Sequence, residues 1–346
     1  MRNVTTFPTK FDSVLDLARL PWFSVVDGQL RADPEVGPII DIHTHVAMTN
    51  FVKLKVDVFT STPTIKHYLP IDRPFDLEIY SNKNFDAKSL RRLKLDVSLL
   101  TLTGRGMRTT HTAPNLLRDM DALGITQAVL LPYDMSWGAS NAEVSLRVGK
   151  QFPRIVPFGS VHPKTKNLEE KLLAQKAGGA RGIKLHPNGQ FISPDHPTTV
   201  HLCGRCGAHG LPILFHCGPA GIEPKAAQER SQVYRYEKVL SELPDTTFIL
   251  GHCGALQVDQ AVRFADKYPN AWYDLSCLGL DGMRTVFEHV PHDRIMYGTD
   301  WPFYHQSMTL ARVLMLTEGN PTLRRAILHD NAQRLLKLTP LNPAVA

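Results

Sequence analysis

The sequence lacks the features that would place the protein in a membrane, in a secreted disulfide scaffold or on nucleic acid. No apolar run approaches the roughly 20 residues that a membrane span requires. The five cysteines are few and odd in number for a chain of 346 residues, which argues against a disulfide framework and for a reducing compartment. The first residues have no basic start followed by an apolar block, so we expect no signal peptide and a cytoplasmic protein.

Positive charge is present in excess but is not arranged for nucleic acid. The net charge is +6, and residues 46–118 alone hold twelve Lys/Arg against six Asp/Glu, an excess of six. No Lys/Arg block with interleaved aromatic residues occurs, so we expect no nucleic-acid partner. A local basic bias suits a small carboxylated substrate by focusing the electric field. A solvated helix face explains the same bias equally well.

Eight short segments rich in β-branched and aliphatic residues alternate with stretches of helical spacing. This alternation predicts right-handed crossovers and a parallel sheet. Eight units in one chain fit an α/β fold of the (β/α)8 TIM-barrel type, formed by a single domain over residues 1–346. No Gly-x-Gly-x-x-Gly opens the first helix, which weighs against a dinucleotide fold. The predicted strands are 38–43, 127–132, 155–161, 182–186, 212–216, 247–252, 272–276 and 295–298.

Two segments fall outside the barrel repeat. More than eighty residues separate the first two predicted strands, so residues 46–111 must include an insertion on the mouth side, which we interpret as a lid. Residues 87–100 within it have the spacing of an amphipathic helix. Residues 1–37 are predicted to form an N-terminal arm with a helix near 12–20.

Metal-capable side chains close several of these strands. His43 and His45 are separated by one residue, and alternate residues of a strand point to the same face. The carboxyl ends of all barrel strands meet at one mouth, so residues far apart in sequence become neighbours there. Imidazole and carboxylate ligands suit a divalent metal, above all zinc, with manganese or iron as alternatives. The predicted cluster consists of His43, His45, Lys184, His216, His252 and Asp300.

The phrases Asp-Ile-His-Thr-His (41–45) and Tyr-Gly-Thr-Asp-Trp-Pro (297–302) resemble the amidohydrolase superfamily, specifically its amidohydrolase-related branch of metal-dependent TIM barrels. The resemblance runs from about residue 38 to 338. It implies that His43, His45, His216 and Asp300 hold a metal, and that His252 and Lys184 matter when a second ion is present. In binuclear members the lysine of the fourth strand is carboxylated and bridges the ions. Two questions stay open at this point. The sequence does not decide whether the site holds one ion or two, or whether Lys184 is carboxylated.

Such a site favours hydrolysis of an amide, lactone or ester carbonyl by an activated water, with Asp300 as general base and His252 as a second catalytic residue. The resemblance also allows a second chemistry, non-oxidative decarboxylation of an aromatic or unsaturated acid. A barrel that has lost its activity and serves as a scaffold is disfavoured because none of the six ligands is missing. Barrels of this type often form homo-oligomers, and that question stays open.

Several weaker candidates remain. Cys203 and Cys206 form a Cys-x-x-Cys inside a predicted helix without a second pair, which favours ordinary packing. Basic groups of the insertion could bind a carboxylate, although surface exposure is equally plausible. These are Arg105, Arg108 and His111. Candidates on position alone are His162, His186, Tyr133, Asp134, Trp137, Ser276 and Cys277.

Overall fold

The computed structural model describes residues 7–339 and contains the eight predicted barrel strands. Each strand begins within two residues of its predicted start, because the apolar pattern marks where the chain becomes buried. Most strands end slightly early, where the backbone turns into the loops of the mouth. The strands are β1 (Ile39–Thr44), β2 (Ile125–Leu130), β3 (Ile155–Pro157), β4 (Ile183–Leu185), β5 (Ile213–His216), β6 (Phe248–Gly251), β7 (Ala271–Asp274) and β8 (Ile295–Met296).

The strands form a closed parallel barrel. Strands β1–β3 pair in parallel, as do β4–β8. The first gap is closed by the parallel bridge between Gly159 and Ile183. The second is closed by the bridge between Thr44 and Trp301, and the amide of Ile42 donates to the carbonyl of Tyr297 at 3.0 Å. The TIM-barrel prediction is confirmed.

Helices cover the outside of the barrel between successive strands. Several begin at side chains that satisfy free amide groups of the first turn, as Ser140 does for Glu143 and Asp86 for Ser89. The α-helices are α1 (Ala87–Ser98), α2 (Ala113–Ala122), α3 (Asn141–Gln151), α4 (Leu168–Ala177), α5 (Pro197–Ala208), α6 (Lys225–Gln228), α7 (Glu237–Glu242), α8 (Val258–Ala261), α9 (Phe264–Lys267), α10 (Leu280–His289), α11 (Gln306–Leu316), α12 (Pro321–Arg325) and α13 (Asn331–Leu336). No described helix is long and apolar enough to cross a membrane.

The core has two parts that follow from the alternation of strand side chains. Side chains from strands on different sides of the barrel pack into one cluster, which fills the barrel interior. It includes Ile40, Val129, Leu214, Ile249 and Met296. A larger cluster joins the other strand faces to the surrounding helices. Burial on both faces explains why the strands are continuous apolar runs.

The long insertion lies against the loops at the carboxyl ends of the strands. The amide of Leu69 donates to Phe303 after β8, and that of Ser81 donates to Cys277 after β7, both at 2.9 Å. Asn82 Nδ2 donates to the carbonyl of Ala220 after β5 at 2.8 Å. Helix α1 occupies the predicted amphipathic segment.

The N-terminal segment packs on the insertion and on the barrel core. Its short strand Lys10–Phe11 pairs antiparallel with Phe75–Asp76 of the insertion, and the 3-10 helix Val14–Arg19 replaces the α-helix expected near residues 12–20. A hairpin of Phe23–Val26 and Gln29–Ala32 follows. The boundaries of arm and lid as separate units stay predictions.

Candidate metal centre

Strand β1 aims two imidazoles at the centre of the mouth. The Nδ1 atom of His43 lies 2.5 Å from Asp274 Oδ2, and the Nδ1 atom of His45 lies 2.7 Å from the carbonyl oxygen of Leu131. An acceptor at Nδ1 places the proton there and leaves the lone pair on Nε2, which is how histidine ligands are oriented in metal sites. The Nε2 atoms of both rings face Asp300, as the His-x-His spacing predicts.

Asp300 follows β8, the last barrel strand, and its carboxylate contacts both histidines at the end of β1. Its Oδ1 atom lies 3.0 Å from His45 Nε2 and 3.7 Å from His43 Nε2. Its amide donates to the carbonyl of His43 at 2.8 Å, and its φ of 65° is one that few non-glycine residues adopt. Gly298 is required just before it, because a Cβ there would collide with the carboxylate of Asp274. The backbone therefore holds the Asp300 side chain next to the two histidines at the end of β1.

Three further predicted residues join the group. Lys184 Nζ lies 3.3 Å from His43 Nε2. His252 has a ligand atom within 4.8 Å of those of His43 and Asp300. His216 is more peripheral, because its Nδ1 contacts His252 Nε2 at 3.1 Å while its ring stacks on His186 at 4.2 Å. All six predicted residues are brought together.

These distances fit a metal ion. With ligand bonds of about 2.0–2.2 Å, two ligand atoms of a tetrahedral ion lie roughly 3.3–3.6 Å apart. The contacts among His43, His45, Lys184 and Asp300 range from 3.0 to 3.7 Å.

The protonation states also fit, because a metal requires deprotonated ligands. Burial lowers the pKa of His43, of His216 and of His252, which favours the neutral imidazole that a metal requires. Burial alone would raise the pKa of Asp300, but the contact of its carboxylate with His45 and the neighbouring His43 and His252 lower the pKa below its usual range. Burial lowers the pKa of Lys184 to about 8, so roughly one tenth of the amine is neutral at pH 7.

Strained backbone marks the same edge of the barrel. Among the described residues, eight non-glycine residues have a positive φ, and five of them follow β6, β7 or β8. Such conformations cost free energy and persist where function requires them. The five are His252, Cys253, Ala255, Cys277 and Asp300.

Sequence reasoning missed Asp274, the last residue of β7. It is fully buried, binds His43, accepts from Ser276 Oγ at 2.8 Å and receives the amide of His252 at 3.3 Å. Ser276 Oγ in turn lies 2.8 Å from His252 Nδ1. The sequence did contain a signal for Asp274: it is a lone carboxylate at the end of an apolar strand, two residues before the candidate Ser276.

The weaker candidates separate clearly. Cys277 and Ser276 belong to the site, and Cys277 Sγ donates to Asp300 Oδ2 at 3.3 Å. Asp134 instead caps α3 by accepting from the amides of Asn141 and Ala142. His162 has both ring nitrogens bonded to backbone groups, Trp137 is 66% exposed, and Cys203 and Cys206 are buried in α5.

The carboxylate-binding role considered for Arg108 is not supported. Its guanidinium is buried and bonded to Asp96 Oδ1, to the carbonyl of Asp96 and to the carbonyl of Met48, so it fastens the insertion. His111 Nε2 is engaged by the carbonyl of Lys66 at 2.9 Å. Arg105 is exposed.

A family model described as amidohydrolase matches residues 40–338. The chain belongs to this family. Its members are enzymes of the hydrolase or carboxy-lyase type, and so is this protein. No curated protein matches the chain in the sequence comparison.

Solved structures share the barrel fold of the chain. An uncharacterised TIM-barrel protein from Bordetella bronchiseptica has a TM-score of 0.60 at 20% identity over 87% of this chain and 99% of its own. The 5-carboxyvanillate decarboxylase of Novosphingobium aromaticivorans, complexed with manganese, has a TM-score of 0.57 at 14% identity over 91% and 100%. A probable 2-pyrone-4,6-dicarboxylic acid hydrolase of Acinetobacter baumannii has 0.52 at 16% over 87% and 99%.

Proposed function

We propose that the protein is a metal-dependent hydrolase that cleaves an amide, lactone or ester bond of a small carboxylated substrate. The observation that carries this proposal is a surplus of ligands in one cluster. His43, His45 and Asp300 would suffice for one ion, yet Lys184 and His252 lie within reach as well. That surplus favours a two-ion centre, which is typical of hydrolysis.

Zinc is the proposed metal, because imidazole and carboxylate ligands suit it. When bound, the metal supplies a lowered pKa for a nearby water and polarises the substrate carbonyl. Asp300 takes the proton of the attacking water on its carboxylate and later passes it to the leaving group. His252 is the second proton-handling group, since its Nδ1 is linked through Ser276 Oγ to the carboxylate of Asp274.

Lys184 is proposed to be carboxylated in the two-ion form. Its side chain is 1% exposed, and its lowered pKa provides the neutral amine that attacks carbon dioxide, forms an N–C bond and releases a proton. Replacing Lys184 with Ala should reduce the metal content from two ions to one, and a short carboxylic acid such as acetate should restore it. Two ions retained without added carboxylate would contradict the bridging role.

The insertion is proposed to act as a lid. Five of the six cluster residues are buried, and the insertion is bonded to three of the loops that surround them. Exclusion of bulk water strengthens the electrostatic interactions inside such a site. Substrate entry then requires the insertion to move.

Decarboxylation of an aromatic acid is the second candidate, and one observation favours it. Aromatic rings lie next to residues of the centre. Phe303 lies edge-on to His45 at 6.2 Å, and Tyr133 lies 5.2 Å from His186, which stacks on His216. Such walls suit a planar ring. The 5-carboxyvanillate decarboxylase with manganese has the same fold.

Elemental analysis followed by a substrate screen would test the proposal. We expect two ions per chain and turnover of lactones, amides or esters that is lost on chelation and restored by zinc. Carbon dioxide release from aromatic carboxylic acids with one ion per chain would instead establish the second candidate. A His43→Ala variant should contain less metal, and undiminished occupancy would remove β1 from the site.

A further inference from the structure

A second group of histidine and aspartate side chains lies outside the barrel mouth. His67 belongs to the insertion, Asp119 to α2, and His305 to the turn that begins α11. Each offers a ligand atom, and these atoms all lie within 4.8 Å of one another. Three segments distant in sequence therefore converge here, and none of the proposed catalytic steps uses them.

The contacts in this group repeat those of the metal centre. His67 Nε2 lies 2.9 Å from Asp119 Oδ2, compared with 3.0 Å between His45 Nε2 and Asp300 Oδ1. His305 Nδ1 accepts from the amide of Ser307 at 3.3 Å and lies 2.7 Å from Ser307 Oγ, so Nε2 is the ring nitrogen that is left for a ligand. Asp119 Oδ2 is also fixed by Trp301 Nε1 at 2.8 Å.

A simple ion pair leaves part of this arrangement unexplained. The His67 side chain is 2% exposed, yet its Nδ1 atom has no hydrogen-bond partner among the described residues. The His305 ring lies 5.2 Å from that of His67 without a hydrogen bond between them in the described part of the chain. Burial lowers the pKa of His305 to about 4, so this imidazole is neutral. Two imidazoles and one carboxylate, largely withdrawn from water, are the ligand types that suit a divalent metal.

We propose that His67, Asp119 and His305 bind a divalent metal ion, zinc by the chemistry of the ligands, at a structural site separate from the barrel mouth. Water completes the coordination. The ion fastens the insertion to α2 and to the loop after β8. That loop contains Trp301, which directly follows Asp300 and donates to Asp119.

The test counts ions after the barrel centre is disabled. A full-length His43→Ala/His45→Ala variant is stripped with a chelator, loaded with Co²⁺ or Zn²⁺, and assayed by elemental analysis and by the visible spectrum of bound Co²⁺. We expect one ion per chain to remain, and this ion to be lost when His305→Gln or Asp119→Asn is added. The Asp119→Asn variant should fold, because its side-chain carbonyl still offers Trp301 an acceptor. His201→Gln, which changes an exposed histidine of α5, is the matched control and should keep the ion.

Thermal unfolding provides a second measurement. Zinc should raise the Tm of the barrel-disabled variant, because a ligand that binds only the folded state stabilises it. The increase should disappear with His305→Gln and persist with His201→Gln. A barrel-disabled protein that binds no ion, or one whose ion survives both His305→Gln and Asp119→Asn, would overturn the proposal.

Discussion

The barrel mouth and the insertion both bury charged side chains, but they use the charge differently. In the insertion, Asp96 is 1% exposed and both its carboxylate oxygens are engaged: Tyr68 and Arg108 bind Oδ1, and the amide of Met107 binds Oδ2. In the mouth, the Nε2 atoms of His43 and His45 and the carboxylate of Asp300 converge on a common point. Buried charge whose bonds are complete stabilises the structure, whereas converging lone pairs are available for chemistry. Four substitutions test this distinction.

Asp300→Asn should have the largest effect. The amide neither accepts the proton of an attacking water nor binds a cation as the carboxylate does, so kcat should fall by about 10²–10⁴-fold. Steady-state kinetics measure the loss, and circular dichroism should show an unchanged fold. Turnover at the parental rate would remove Asp300 from its proposed role.

Arg108→Met should lower the free energy of unfolding by about 3–5 kcal/mol, because it leaves the buried carboxylate of Asp96 without its cation. Denaturant unfolding gives the value. A variant of unchanged stability whose KM for a carboxylated substrate rises would show that Arg108 binds substrate after all, and the contrast between the two regions would fail.

Asp274→Asn should reduce metal affinity by about 10–100-fold, since the charge that orients and polarises His43 is lost while a hydrogen-bond acceptor remains. Competition with a chelating dye measures the affinity. Ser276→Ala, which removes only the neighbouring hydroxyl, is the control and should have the smaller effect; equal losses would mean that the hydroxyl contributes as much as the carboxylate.

Arg105→Met should have the smallest effect. Arg105 is exposed, so the free energy of unfolding should change by less than about 0.5 kcal/mol. Comparison with Arg108→Met separates a side chain that fastens the insertion from one that lies on its surface. A loss as large as that of Arg108→Met would show that the insertion is held differently.

The difference between the barrel mouth and the insertion also explains which site residues could be predicted from the sequence. The strand ends were predictable because a regular barrel converts strand position into spatial position, so His43, Lys184, His252 and Asp300 could be placed together without coordinates. Arg108 could not be assigned, since its partners lie 12 and 60 residues away, Asp96 in α1 and Met48 in irregular chain. Asp274 was missed because the imidazole that it orients, that of His43, lies 231 positions away in the sequence.

The seam between the first and last barrel strands has a consequence for the order of assembly. The amide of Asp300 is bonded to the carbonyl of His43, and Thr44 pairs with Trp301. A growing polypeptide carries its paired histidines long before the segment that completes their surroundings has been synthesised. The metal centre is thus complete only when β8 docks beside β1. Catalytic activity would therefore indicate that the eight-stranded barrel has closed.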